Sequence, residues 1–110
     1  MMDARLKAGL LVQAILRLYD RELIPAVLRR RGDADAGAVL VKIAVDRENA
    51  LLLSQARDAE GRAAWLRTGP AADAVIEAAI AKAIDRDPDI WVIEAEDPRG
   101  QLPFEAPILR

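Results

Sequence analysis

Apolar residues recur along this chain first at the spacing of a helix and then at that of strands. Leu11, Ile15 and Leu18 stand four and three residues apart, and Val12, Leu16 and Tyr19 broaden the stripe. This predicts a helix from Leu10 to about Glu22 with Lys7, Gln13, Arg17 and Asp20 turned outward. Pro25 disfavours helical geometry at Ile24, so the helix ends just before it. Ala26 to Arg30 reads as a short strand. Gly37 to Val45 is the clearest strand, with Val39, Val41, Ile43 and Val45 on one face and Ala38, Leu40, Lys42 and Ala44 on the other. Strands at Ala50 to Arg57 and Arg62 to Arg67 follow, joined through Asp46-Arg47-Glu48-Asn49 and Asp58-Ala59-Glu60-Gly61. Connections this short predict an antiparallel meander. Thr68-Gly69-Pro70 is expected to end the sheet and open a second helix with Ile76, Ile80, Ala83 and Ile84 as its apolar stripe. Asp85-Arg86-Asp87-Pro88 stops that helix, and Ile90 to Glu94 is a last strand. The proline-containing tail from Pro98 reads as irregular, with Leu102 and Phe104 as anchors onto the body.

The order α-β-β-β-β-α-β predicts a single α+β domain over residues 1–110. Its sheet is expected to be largely antiparallel, with both helices packed on one face. No repeat, low-complexity segment or linker divides the chain. The meander strands are apolar on both sides, so the second face needs a cover: a helix, the tail or a second copy of the chain.

Composition narrows the chemistry. The 110 residues include neither cysteine nor histidine. This excludes disulfides, thiolate nucleophiles, Ser-His-Asp and Cys-His constellations and the usual zinc ligands. Catalysis would have to run on Asp, Glu, Lys, Arg, Tyr or an oxygen-bound Mg²⁺. The reading therefore leans away from an enzyme, with no metal and no cofactor expected. A net charge of −2 with interspersed signs argues against a phosphate-tracking surface. Nucleic acid thus ranks last as a partner, although Arg29, Arg30, Arg31, Arg57, Arg62 and Arg67 would form a strip across strand ends. The run Ala8 to Leu16 is broken by Gln13 and is too short to span a bilayer, so neither a signal peptide nor a membrane partner is expected and the location reads as cytoplasmic.

Candidate chemistry gathers in Arg29-Arg30-Arg31-Gly32-Asp33-Ala34-Asp35-Ala36-Gly37. Strand alternation would put Arg29 and Arg31 on one side, where the pair suits a carboxylate or phosphate, against a solvated strand end as the simpler reading. Asp33 and Asp35 offer oxygens to a cation. Gly37 and Ala44, however, occupy the positions where a calcium loop needs a further ligand and its closing glutamate. Aspartates in such a loop more simply bond nearby backbone amides. The tripeptide Arg31-Gly32-Asp33 matches a cell-adhesion motif by coincidence. Glu94 and Glu96 would share a strand face but lack a third ligand. Trp65 and Trp91 read as core residues whose indole N–H groups need partners. No phosphate loop, dinucleotide fingerprint or nucleophile elbow occurs.

Taken together, the run Ile24 to Lys42, with Arg31-Gly32-Asp33-Ala34-Asp35-Ala36-Gly37 at its centre, resembles the signature of a bacterial family, domain of unknown function 1491. Ser54-Gln55-Ala56-Arg57-Asp58 and Asp87-Pro88-Asp89-Ile90-Trp91-Val92-Ile93-Glu94 extend the resemblance over nearly the whole chain. The resemblance implies an intact bacterial cytoplasmic domain and brings no activity, cofactor or site residues. The residues themselves favour a non-catalytic binding or interaction module that self-associates, with an unknown protein as the other partner. The alternative is an anion- or metal-phosphate-binding protein or enzyme that uses Arg29, Arg31, Asp33 and Asp35.

Overall fold

Two helices, α1 (Ala8–Arg21) and α2 (Asp73–Arg86), lie on opposite faces of one mixed sheet. The computed structural model describes residues 6–109; residues 1–5 and Arg110 of the expected domain lie outside the described residues. Strands β1 (Ala26–Arg30), β2 (Val39–Ala44), β3 (Asn49–Arg57), β4 (Ala63–Ala72), β5 (Trp91–Glu96) and β6 (Ile108–Leu109) are arranged β1-β5-β2-β3-β4-β6. The α+β class and the order of the first seven elements agree with the sequence reading. The expectation that both helices pack on one face does not hold.

The reason lies in β2 and β3. Val39, Val41 and Ile43 join Leu51 and Leu53 under α1, whereas Leu40 joins Ala50 and Leu52 under α2. A sheet apolar on both faces needs a layer on each. Helix α1 contributes Leu11, Val12, Ile15 and Tyr19, and Ile15 is fully buried, worth about 2–3 kcal/mol of transfer free energy. Helix α2 inserts Ile76 and Ile80 into the opposite layer. Both faces are thus covered within one chain.

The meander β2-β3-β4 is antiparallel as expected. Strand β5 inserts between β1 and β2, antiparallel to the first and parallel to the second, pairing Val39 with Trp91 and Ala44 with Glu96. Strand β4 runs on through Thr68-Gly69-Pro70 to Ala72, so this tripeptide does not break the sheet. It forms a bulge instead: Leu52 faces Thr68 but Ala50 faces Ala71, which leaves an extra residue on β4. Gly69 has φ +98° there, with the Ala50 carbonyl against the place of a Cβ. The missing N–H of Pro70 is tolerated because β6, the outer neighbour of β4, reaches only Trp65 and Leu66.

The tail closes the α1 layer. Asp97 is buried, and its carboxylate accepts from the backbone N–H groups of Arg99 and Gln101 and from Arg99 Nε. Leu102 and Phe104 then anchor in the core as expected, with the Phe104 ring centroid 6.2 Å from that of Trp65. The hydroxyl of Tyr19 donates to the Gln101 carbonyl oxygen at 3.1 Å. Burial, reinforced by the Asp97 charge, pushes the Tyr19 phenol well above its ordinary pKa. Replacing Tyr19 with Phe removes one hydrogen bond and is expected to cost about 1 kcal/mol in urea denaturation, read as a lower midpoint with an unchanged slope.

Candidate functional site

Strand β1 feeds directly into the segment rich in arginine and aspartate, and a bulge there decides where its side chains go. Leu28 pairs with Ile93 and Arg30 with Val92, so Arg29 is the extra residue. The bulge breaks the alternation that would have put Arg29 and Arg31 on one side. Arg29 reaches to the α2 side, where it donates to both oxygens of Glu77 at 2.7 and 2.8 Å and to Glu94 at 3.0 Å. Arg31 stacks over Trp91 on the α1 side, 5.5 Å from the ring centroid. Arg30 donates to the Ile90 carbonyl at 3.1 Å. The two candidate arginines are therefore not brought together.

The aspartates are separated in role as well. Asp33 Oδ2 accepts from the backbone N–H groups of Asp35 at 3.1 Å and Ala36 at 2.8 Å, the local turn that its residue type favours. Its carbonyl oxygen accepts from the indole Nε1 of buried Trp91 at 2.7 Å, the partner that Trp91 needed. Its own N–H donates to the Asp89 carbonyl at 3.0 Å. Gly32 and Gly37 close on that same carbonyl, and a Cβ at either would run into it and into the Trp91 ring. Asp35 is exposed and stands 3.7 Å from Lys7. Beside it lies an open depression of about 330 Å³, lined also by Gln55 and Arg57. Gln55 is already engaged, since its Oε1 accepts from the Val39 N–H at 2.7 Å.

Arg29 enters a network that the sequence reading missed. Lys42 of β2 is 3% exposed under α2. Its Nζ lies 2.6 Å from both Asp73 and Glu77 and 3.8 Å from Glu94. Burial opposes the charge on Lys42, but hydrogen bonds to Asp73 and Glu77 and the nearby carboxylate charges outweigh it and raise its pKa. The Lys42 ammonium is therefore held protonated and is not a nucleophile. Hydrogen bonds from Arg29 and then Lys42 pull Glu77 down to about 2, and the same contacts push Arg29 above its ordinary range. The available signal was a lysine in the middle of a strand apolar on both faces. Glu96, paired with Glu94 in the sequence reading, is exposed and outside this network. Among the described residues, no cluster of acids is arranged to hold a metal ion and no helix is long and apolar enough to cross a membrane.

A mixed sheet between two helices, with a connecting segment locked onto the tryptophan of its central parallel pair, defines the class of small α+β domain to which this chain belongs. The model of the family described as "Protein of unknown function (DUF1491)" matches residues 6–105, and the chain belongs to that family. A crystal structure of a DUF1491 family protein from Caulobacter crescentus CB15 is similar at 35% identity and a TM-score of 0.85, covering 94% of this chain and 99% of that one. An NMR structure of a DUF1491 family protein from the same organism is similar at 36% identity and a TM-score of 0.81, covering 96% and 98%. The solution structure of protein Atu0922 from A. tumefaciens shares the fold at 22% identity and a TM-score of 0.73, covering 84% and 86%. A search of curated proteins found no match.

Two expectations follow from this geometry. Gly37→Ala should cost about 2–4 kcal/mol because the new methyl group meets the Asp89 carbonyl and the Trp91 ring. Gly61→Ala, in open space at φ +79°, should cost only about 1 kcal/mol. Parallel thermal melts check the difference. Acid sensitivity should follow Glu77, whose carboxyl sits at about 2 in the fold against an ordinary 4.5. Its contribution is present above pH 4.5 and disappears as pH falls towards 2. With the side chain 36% exposed, solvent screening reduces the effect to about 1–2 kcal/mol. Denaturation of Glu77→Gln against the parent across that interval should show a correspondingly weaker pH dependence.

Proposed function

We propose that this chain is a non-catalytic cytoplasmic interaction module that self-associates. The observation that carries this reading is the distribution of exposed apolar side chains. Both sheet faces are covered within the chain, so a bare face cannot drive association. Apart from Leu6, Leu10 and Val75 on or beside the helices, the exposed large apolar side chains stand towards the two lateral ends of the sheet. Leu23, 90% exposed, precedes β1 and Val27, 59% exposed, lies on it at one end. Leu66 and Ile108 are exposed at the other. Edge strands with unpaired backbone groups and apolar neighbours are the usual places for chain-to-chain pairing.

The internal contacts of the arginine segment support the same reading. The Arg29 guanidinium is occupied by two carboxylates, Asp33 by backbone amides, and Lys42 by three acids. The anion-binding alternative draws no support from Arg29, and Arg31 stands apart from it on the other side of the sheet. The basic strip also loses free charge, since Arg62 pairs with Asp58 and Glu60. Sedimentation velocity from about 10 µM to 1 mM, a range that brackets weak dimers, should show the weight-average mass rising with concentration. A strictly monomeric chain throughout would overturn the proposal.

A further inference from the structure

We infer that the outer edge of β4 is a strand-acceptor site and that its exchangeable occupant is the Pro107–Leu109 segment of a second copy of this chain. The inference rests on the self-association proposed above and assigns it a surface. In the monomer the acceptor is filled by the chain's own tail. Ile108 pairs in parallel with Trp65 and Leu109 with Leu66. The Trp65 N–H donates to the Pro107 carbonyl at 2.9 Å. The edge therefore already binds an extended apolar segment preceded by proline, in a defined direction and register, as strand addition requires.

Two further observations make this segment exchangeable. The fully buried part of the tail ends at Leu102, and Phe104 and Ala106 are only half-buried against the core, whereas β6 has only two residues and Ile108 is 41% exposed. So short a strand contributes little pairing and opens at low cost. Gly100, at φ +63° after the Asp97 turn, with Pro98, Pro103 and Pro107, gives the tail a bend followed by stiff, extended steps. Reciprocal exchange between two copies recreates every β4–β6 contact and leaves only association entropy to offset. It is favoured when the chain concentration approaches the effective concentration of the tethered tail, on the order of millimolar.

The test uses the full chain. Ile108→Asp with Leu109→Asp should release the strand, and a synthetic peptide spanning Glu105 to Leu109 serves as the probe. The ¹⁵N-labelled released variant should bind the peptide with shifts centred on the Trp65 and Leu66 amides, at least about tenfold more tightly than the parent, whose own tail competes. A peptide carrying the same two aspartates should not bind. In the parent, the Trp65 amide should exchange with solvent about 100-fold faster than the Leu53 amide in the sheet centre. Equal binding by variant and parent, no binding by either, or equal amide protection overturns the inference. A released variant that fails to fold does so as well, because the strand is then part of the core. A dimer that persists unchanged in the released variant overturns this surface and leaves self-association standing. A parent that remains monomeric at about 1 mM overturns both.

Discussion

A positive charge buried under α2 constrains more of this molecule than any other single group. Lys42 lies on β2, and an unpaired ammonium at that depth would cost several kcal/mol. Its compensation comes from two elements. Asp73 and Glu77 are supplied by the first turns of α2, and Glu94 by β5. Glu77 and Glu94 in turn hold Arg29 at the β1 bulge. One network therefore ties the helix to strands at positions one, two and three of the sheet order. Without the lysine, Asp73, Glu77 and Glu94 would have only Arg29, on the two glutamates, to offset them. Without the acids, Lys42 would be a buried unpaired cation.

On the other face the same task falls to a neutral contact. The indole of Trp91 holds the Asp33 carbonyl, and two glycines let the chain close over the Asp89 carbonyl. Arg31 covers the ring from outside. Together these contacts convert a stretch that resembles a ligand loop into a tightly packed link between β1 and β2. The charges of Arg29 and Asp33 are engaged by partners within the chain. Arg29 works on one face of the sheet and Arg31 on the other, which explains why adjacent residues of one type do not form one site.

In the self-association proposed above, this division leaves the ends of the sheet as the places for contact with a second chain. At the β1 end Leu23 and Val27 are exposed, but the strand is short, bulged, preceded by Pro25 and rich in arginine, features that discourage backbone pairing there. The β4 end is guarded differently, by the chain's own tail. A guard made of two residues is removable in a way that a bulge is not. The Gly69-Pro70 bulge limits the regular part of β4 to Ala63 to Thr68. A strand entering there has a short, defined place to dock.

Much of this architecture was legible along the chain. Helical spacing located α1, and alternation located β2 and β3 to within a residue or two. The glycine and aspartate of Asp33 to Gly37 identified a backbone-bonded turn. Those features depend on neighbours in sequence, where periodicity and turn chemistry act directly. The faces of the sheet, the β5 insertion and the ion network were not legible, because they join residues far apart in sequence. Lys42 signalled that a partner was needed but could not say which of the chain's acids would supply it. The Arg29 bulge and the passage of β4 through Pro70 depend on what lies on the neighbouring strand. Local sequence thus determined the elements and their turns, and tertiary packing decided which face each element covers and which charges meet, because burial costs are settled only when distant surfaces come together.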